Sequence, residues 1–63
     1  MNPERLRIEA AAQLAAEAIR LEGIQNEVIA CSAAVPEALK DDLRHQTERH
    51  AEAVALVLRL SSQ

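Results

Sequence analysis

Aromatic residues are absent from the 63-residue chain, and the net charge is −3. Without aromatic rings there is no stacking platform for single-stranded nucleic acid, and without a basic excess there is no electrostatic surface for its backbone. We therefore expect no nucleic-acid partner.

Cysteine, glycine and long apolar runs are also scarce. The single cysteine, Cys31, cannot form an internal disulfide, and with two histidines it does not complete a structural zinc site. No apolar run approaches the roughly 20 residues of a membrane span. The first four residues lack the basic and apolar regions of a signal peptide, so we expect a cytoplasmic protein.

Catalytic patterns are missing as well. The chain has no Ser/His/Asp set, glycine-rich loop or paired-acid cleft. The residue pair Asp42 and His45 has a metal-ligand spacing, but the further glutamates of a diiron bundle are absent. We expect neither an enzyme nor a cofactor.

Alanine dominates what is present, with thirteen residues. Alanine buries little area, and a single core in a chain below roughly 70–80 residues seldom supplies more than about 3–5 kcal/mol. Because disulfides and metals are unsupported, oligomerisation is the remaining source of stability. The alanine content and the excess of arginine over lysine are typical of a GC-rich bacterial genome.

Two helical segments account for almost the whole chain. Asn2, Pro3 and Glu4 form a typical helix start, and a stripe of apolar residues continues from there. The stripe stays in phase across Gly23, which predicts one helix over residues 3–33. A helix stop at Gly23 is the alternative.

Proline at position 36 separates the segments, because it disfavours helical geometry at Val35 and suits a new helix start. We predict a turn at 34–35 and a second helix over 36–60, in one domain spanning residues 1–63. So short a connection makes the helices antiparallel. The predicted fold is an all-α two-helix hairpin that dimerises into a four-helix bundle.

Polar residues interrupt the facing stripes. One register places Val28 opposite Leu39 and Glu17 opposite His50, with Gln46 nearby. We interpret Glu17, Gln46 and His50 as a buried polar layer that fixes the pairing of the helices. The functional alternative is a pH-sensing pair or half of a metal site.

Further apolar residues lie outside the facing stripes, and such exposed patches usually mark an interface. The predicted interface residues are Ile8, Ala12, Ala15, Ile19, Leu56 and Leu58.

Charge is divided between the two ends of the predicted hairpin. The open end carries Arg5, Arg7 and Arg59, and the turn end carries Glu37, Asp41 and Asp42. Two copies placed antiparallel would set each basic end beside an acidic end, which predicts an antiparallel homodimer.

These features favour a small non-enzymatic protein-interaction module, of the regulator, adaptor or co-chaperone kind, that acts as a dimer or packs on a partner protein. In architecture and length the predicted dimer resembles the RNA-binding four-helix bundle of the Rop type, which gives the alternative function. Salt-dependent binding to RNA hairpins would favour that alternative. A metal or redox protein built on His45, His50 and Cys31 is the third possibility, and metal-dependent melting would favour it.

Overall fold

The computed structural model describes residues 2–62 and consists of two α-helices that pack against each other. Helix α1 spans Pro3–Ala30 and helix α2 spans Glu37–Ser61. No strand occurs within residues 2–62. The hairpin is a rod measuring 47 × 15 × 14 Å. The all-helical hairpin predicted from the sequence is therefore confirmed.

Helix α1 begins as its sequence predicts. The Asn2 side chain accepts a hydrogen bond from the backbone N–H of Glu4, and Pro3 occupies the first turn, where a missing N–H costs nothing. The helix then passes through Gly23 without a break, and Gly23 has no positive φ. One continuous helix thus carries the apolar stripe of this segment.

The connection between the helices is longer than the predicted two-residue turn. It spans residues 31–36, and α1 ends three residues earlier than the predicted boundary. Ser32 has a φ of 55°, in the left-handed region, and its N–H bonds to the carbonyl of Ile29. This geometry closes the end of α1 in the manner of a left-handed C-cap, although the residue is not glycine.

Helix α2 begins at Glu37 because Pro36 takes the N-cap position, with extended geometry. The Pro36 carbonyl accepts backbone N–H groups from Leu39 and Lys40, which starts the helical hydrogen-bond ladder. No side chain caps this end. Within residues 2–62, neither helix has an apolar stretch of the length and composition needed to cross a bilayer.

Candidate functional site

The interior between the two helices is small and partly polar. Four of the residues in 2–62 are buried: Ala10, Ala53, Glu17 and Gln46. The most deeply buried is Glu17, whose exposed fraction is 1%. A hairpin whose innermost side chain is a carboxylate, flanked by alanine, has little apolar area with which to stabilise itself.

Hydrogen-bond donors surround the Glu17 carboxylate on both helices. Gln46 of α2 donates from Nε2 to Oε2 of Glu17 at 2.9 Å and to the main-chain carbonyl of Glu17 at 3.1 Å. Within α1, Arg20 donates to Oε1 at 2.7 Å and Gln13 donates to the same oxygen at 3.3 Å. These bonds offset the cost of removing a carboxylate from water.

Two arginines bring positive charge to this carboxylate from the surface. Arg20 lies 2.7 Å from Oε1, and Nε of Arg49 lies 3.8 Å from Oε2. Both arginine side chains remain more than half exposed. Long arginine stems cover the apolar surface while their guanidinium groups stay in water, so the charge is supplied without burying the arginines.

His50 takes no part in this cluster. Within residues 2–62 no hydrogen bond or ion pair joins His50 to Glu17, although the predicted register sets the two residues opposite each other. His50 is half-buried, and the donor to Glu17 comes instead from Gln46, one helical turn closer to the connection. The glutamine side chain is long enough for its amide to donate to both acceptor oxygens of Glu17. The amide carries no charge, so its burial costs less than that of an imidazolium would.

The remaining candidate ligands do not converge. His45 is exposed, and Cys31 is half-buried at the end of α1. Within the described part of the chain, no group of three or more His, Cys, Asp or Glu side chains is placed to hold a metal ion.

One side of the hairpin carries a shallow groove of about 230 Å³ between the helices. It is lined by Gln13, Glu17, Arg49, Glu52, Ala53 and Leu56. We call this the groove side. Four of its six residues are polar or charged.

The opposite side is apolar. At 100° per residue, Ala11 and Ala18 lie about 140–160° around α1 from Gln13. Val54, Leu58 and Ala51 lie about 140°, 180° and 200° around α2 from Arg49. We call these five residues, Ala11, Ala18, Ala51, Val54 and Leu58, the apolar side. None of them is buried, and Leu58 is 64% exposed.

The back of α1 is also apolar. Ile8 and Ala12 are each two residues from buried Ala10, and Ile19 is two residues from buried Glu17. Two residues correspond to a rotation of about 160° when measured the shorter way round, so these side chains face away from α2. Ile8 and Ile19 are 63% and 71% exposed.

The six predicted interface residues therefore fall on three surfaces. Ile8, Ala12 and Ile19 lie on the back of α1, Leu58 lies on the apolar side, and Leu56 lines the groove. Ala15 is exposed between the back of α1 and the apolar side. Sequence reasoning missed Ile29, which at 75% is the most exposed of the large aliphatic residues. Ile29 lies in the last turn of α1, where the half-buried residue is its neighbour Val28.

The charged residues at the two ends are engaged mainly within their own helices. Arg5 pairs with Glu9 at 3.1 Å, Lys40 with Glu37 at 3.1 Å, and Arg44 with Asp41 at 3.4 Å. All six of these side chains are more than half exposed. Exposed pairs of this kind contribute about 0–1 kcal/mol each, so they add little to the hairpin itself.

Arg7 crosses between the helices at the open end. Its Nε donates to the main-chain carbonyl of Leu60 at 3.2 Å. Arg59 lies in the last turn of α2, where positive charge is favourable to the helix dipole. Asp42 is exposed in the first turns of α2.

Comparison of the chain with models of protein families, with curated proteins and with solved structures finds no match.

Proposed function

We propose that the protein is a small non-enzymatic protein-interaction module whose hairpin is completed by a second copy, giving an antiparallel four-helix bundle. Small regulators, adaptors and co-chaperones have architectures of this kind. The observation that carries the proposal is the interior of the hairpin, where the buried apolar residues in 2–62 are Ala10 and Ala53.

Surface area supports the same conclusion. The hairpin exposes 4786 Å². A folded monomer of 6.9 kDa exposes about 4000 Å² on average. The excess of about 800 Å² is the area that each partner buries in a standard protein interface. A second helical surface of similar size would bring the exposed area to the value typical of a folded chain.

Charge at the two ends supports the antiparallel orientation. The turn end, residues 27–44, holds four acidic and two basic side chains, for a net charge of −2. The open end, residues 2–9 and 55–62, holds three basic and two acidic side chains, for a net charge of +1. Antiparallel copies place opposite net charges side by side, whereas parallel copies place like charges together.

The test is the dependence of assembly and stability on protein concentration. Sedimentation equilibrium should give a dimer at micromolar concentration, and the melting temperature should fall on dilution. Leu58→Asp should weaken the dimer, because an aspartate at that position would be buried on association. Ile19→Asp, at a similarly exposed aliphatic residue on the back of α1, is the matched control and should leave the dimer intact. A hairpin that stays folded as a monomer over this concentration range would overturn the homodimer.

A further inference from the structure

Three surfaces of the hairpin are open to a second copy: the groove side, the apolar side and the back of α1. We infer that the second copy covers the apolar side, with α1 packing on α1 and α2 packing on α2 of the other copy. This inference rests on the proposed dimer and specifies its contact surface. The groove side and the back of α1 then remain exposed on the assembled bundle.

The apolar side differs from the back of α1 because both helices contribute to it. Leu14, Leu21, Leu43 and Val57 face α1 or α2 but are only half-buried in the hairpin. A hairpin laid across the apolar side would cover the open edge of both helices together. A partner on the back of α1 would leave these residues half-buried, because that surface belongs to one helix and faces away from them.

Charge excludes the groove side for a second copy. Arg49 and Glu52 line that side, Arg20 and Arg49 pair with Glu17, and both arginine side chains are more than half exposed. Covering them with an identical surface would desolvate like charges on both copies. The five residues of the apolar side, by contrast, carry no charge.

Symmetry then determines which helices meet. Two hairpins in contact through the same side are related by a two-fold axis lying in the contact plane. If their turns are at opposite ends, this axis runs across the helices, so each helix lies on its own counterpart. If their turns are at the same end, the axis runs along the helices, and α1 lies on α2 of the other copy.

Residues near the middle of each helix therefore report the arrangement. Ala51, on the apolar side of α2, is close to the mid-length of its helix, and so is Ala18 of α1. In the antiparallel dimer Ala51 of one copy approaches Ala51 of the other. Alanine at these positions allows the helix backbones to approach closely, within the range over which two cysteines can be bridged.

The experiment is disulfide cross-linking in a Cys31→Ala background, which removes the natural thiol. Ala51→Cys should convert most of the protein to a covalent dimer under mild oxidation. Glu52→Cys, one residue away on the groove side, is the matched control and should give only traces. Ile19→Cys reports the back of α1 and should also give only traces. Sedimentation equilibrium is run on each reduced variant, to show whether the dimer is present.

Each outcome bears on a different claim. A dimer that cross-links through Ile19→Cys or Glu52→Cys, and not through Ala51→Cys, would overturn the inferred surface while leaving the proposed dimer standing. Cross-linking only in a mixture of Ala18→Cys and Ala51→Cys chains would overturn the pairing of like helices and point to turns at the same end. A folded monomer in every variant would overturn the proposed homodimer itself.

Discussion

Nε2 of Gln46 donates to two oxygens of Glu17, one in the carboxylate at 2.9 Å and one in the main-chain carbonyl at 3.1 Å. This is the hydrogen-bonded link between the helices at mid-hairpin, and it joins two of the four buried residues in 2–62.

Replacing Gln46 by leucine should lower the free energy of unfolding by about 1–3 kcal/mol, because the buried carboxylate loses a donor from the opposite helix. The double variant Glu17→Leu/Gln46→Leu should recover much of that loss, since neither polar group then remains to be satisfied. Chemical denaturation of the four proteins at one fixed concentration gives the coupling energy. The cycle of Glu17→Leu with His50→Leu is the control, and its effects should add. Coupling to His50 with none to Gln46 would contradict the structure.

Gly23→Ala should raise the free energy of unfolding by about 0.5–1 kcal/mol, because the glycine lies inside a continuous helix. A Cβ at this position would meet no atom within 4 Å in the hairpin. Thermal unfolding at fixed protein concentration measures the gain. Gln25→Ala, at another exposed position of α1, is the control and should change stability by only a few tenths of a kcal/mol. A clear loss at Gly23 would indicate that another helix approaches there.

Ser32→Gly should stabilise the protein by up to about 1 kcal/mol, because Ser32 has a positive φ that side chains with a Cβ disfavour. Ser62 provides the comparison, since its φ of −91° gives glycine no advantage. In urea denaturation, the midpoint of Ser32→Gly should therefore rise, whereas the midpoint of Ser62→Gly should fall or stay unchanged. Equal losses for both variants would contradict this account of the connection.

Asn2→Ala should cost about 1 kcal/mol, because the Asn2 side chain accepts the N–H of Glu4 at the start of α1. Asn2→Ser should retain most of the stability, since a hydroxyl can accept the same bond. Asn26→Ala, within the same helix, controls for the general effect of removing an asparagine and should not destabilise. Circular dichroism melts of the three variants measure these differences, and equal stability of Asn2→Ala and the parent would contradict the cap.

The two helices and their antiparallel packing could be predicted from the sequence because apolar periodicity and proline act locally. The residue at which α1 ends could not be predicted, because serine has no strong preference for the left-handed geometry that Ser32 adopts. The burial of Glu17 followed from its place on the stripe, but its partner did not follow. A register shows which backbone positions of the two helices lie opposite each other. The length and direction of the side chains then decide whether Gln46 or His50 donates to Glu17.

The Gln46–Glu17 link also has a consequence for how the sequence can change. Sliding α2 by one turn would break both hydrogen bonds together, because both acceptors belong to a single residue. A substitution at either position alone leaves a buried polar group without its partner. Chains descended from a common ancestor with this one should therefore replace positions 17 and 46 jointly, with an apolar pair as the simplest substitute, while the exposed arginines at 20 and 49 vary more freely.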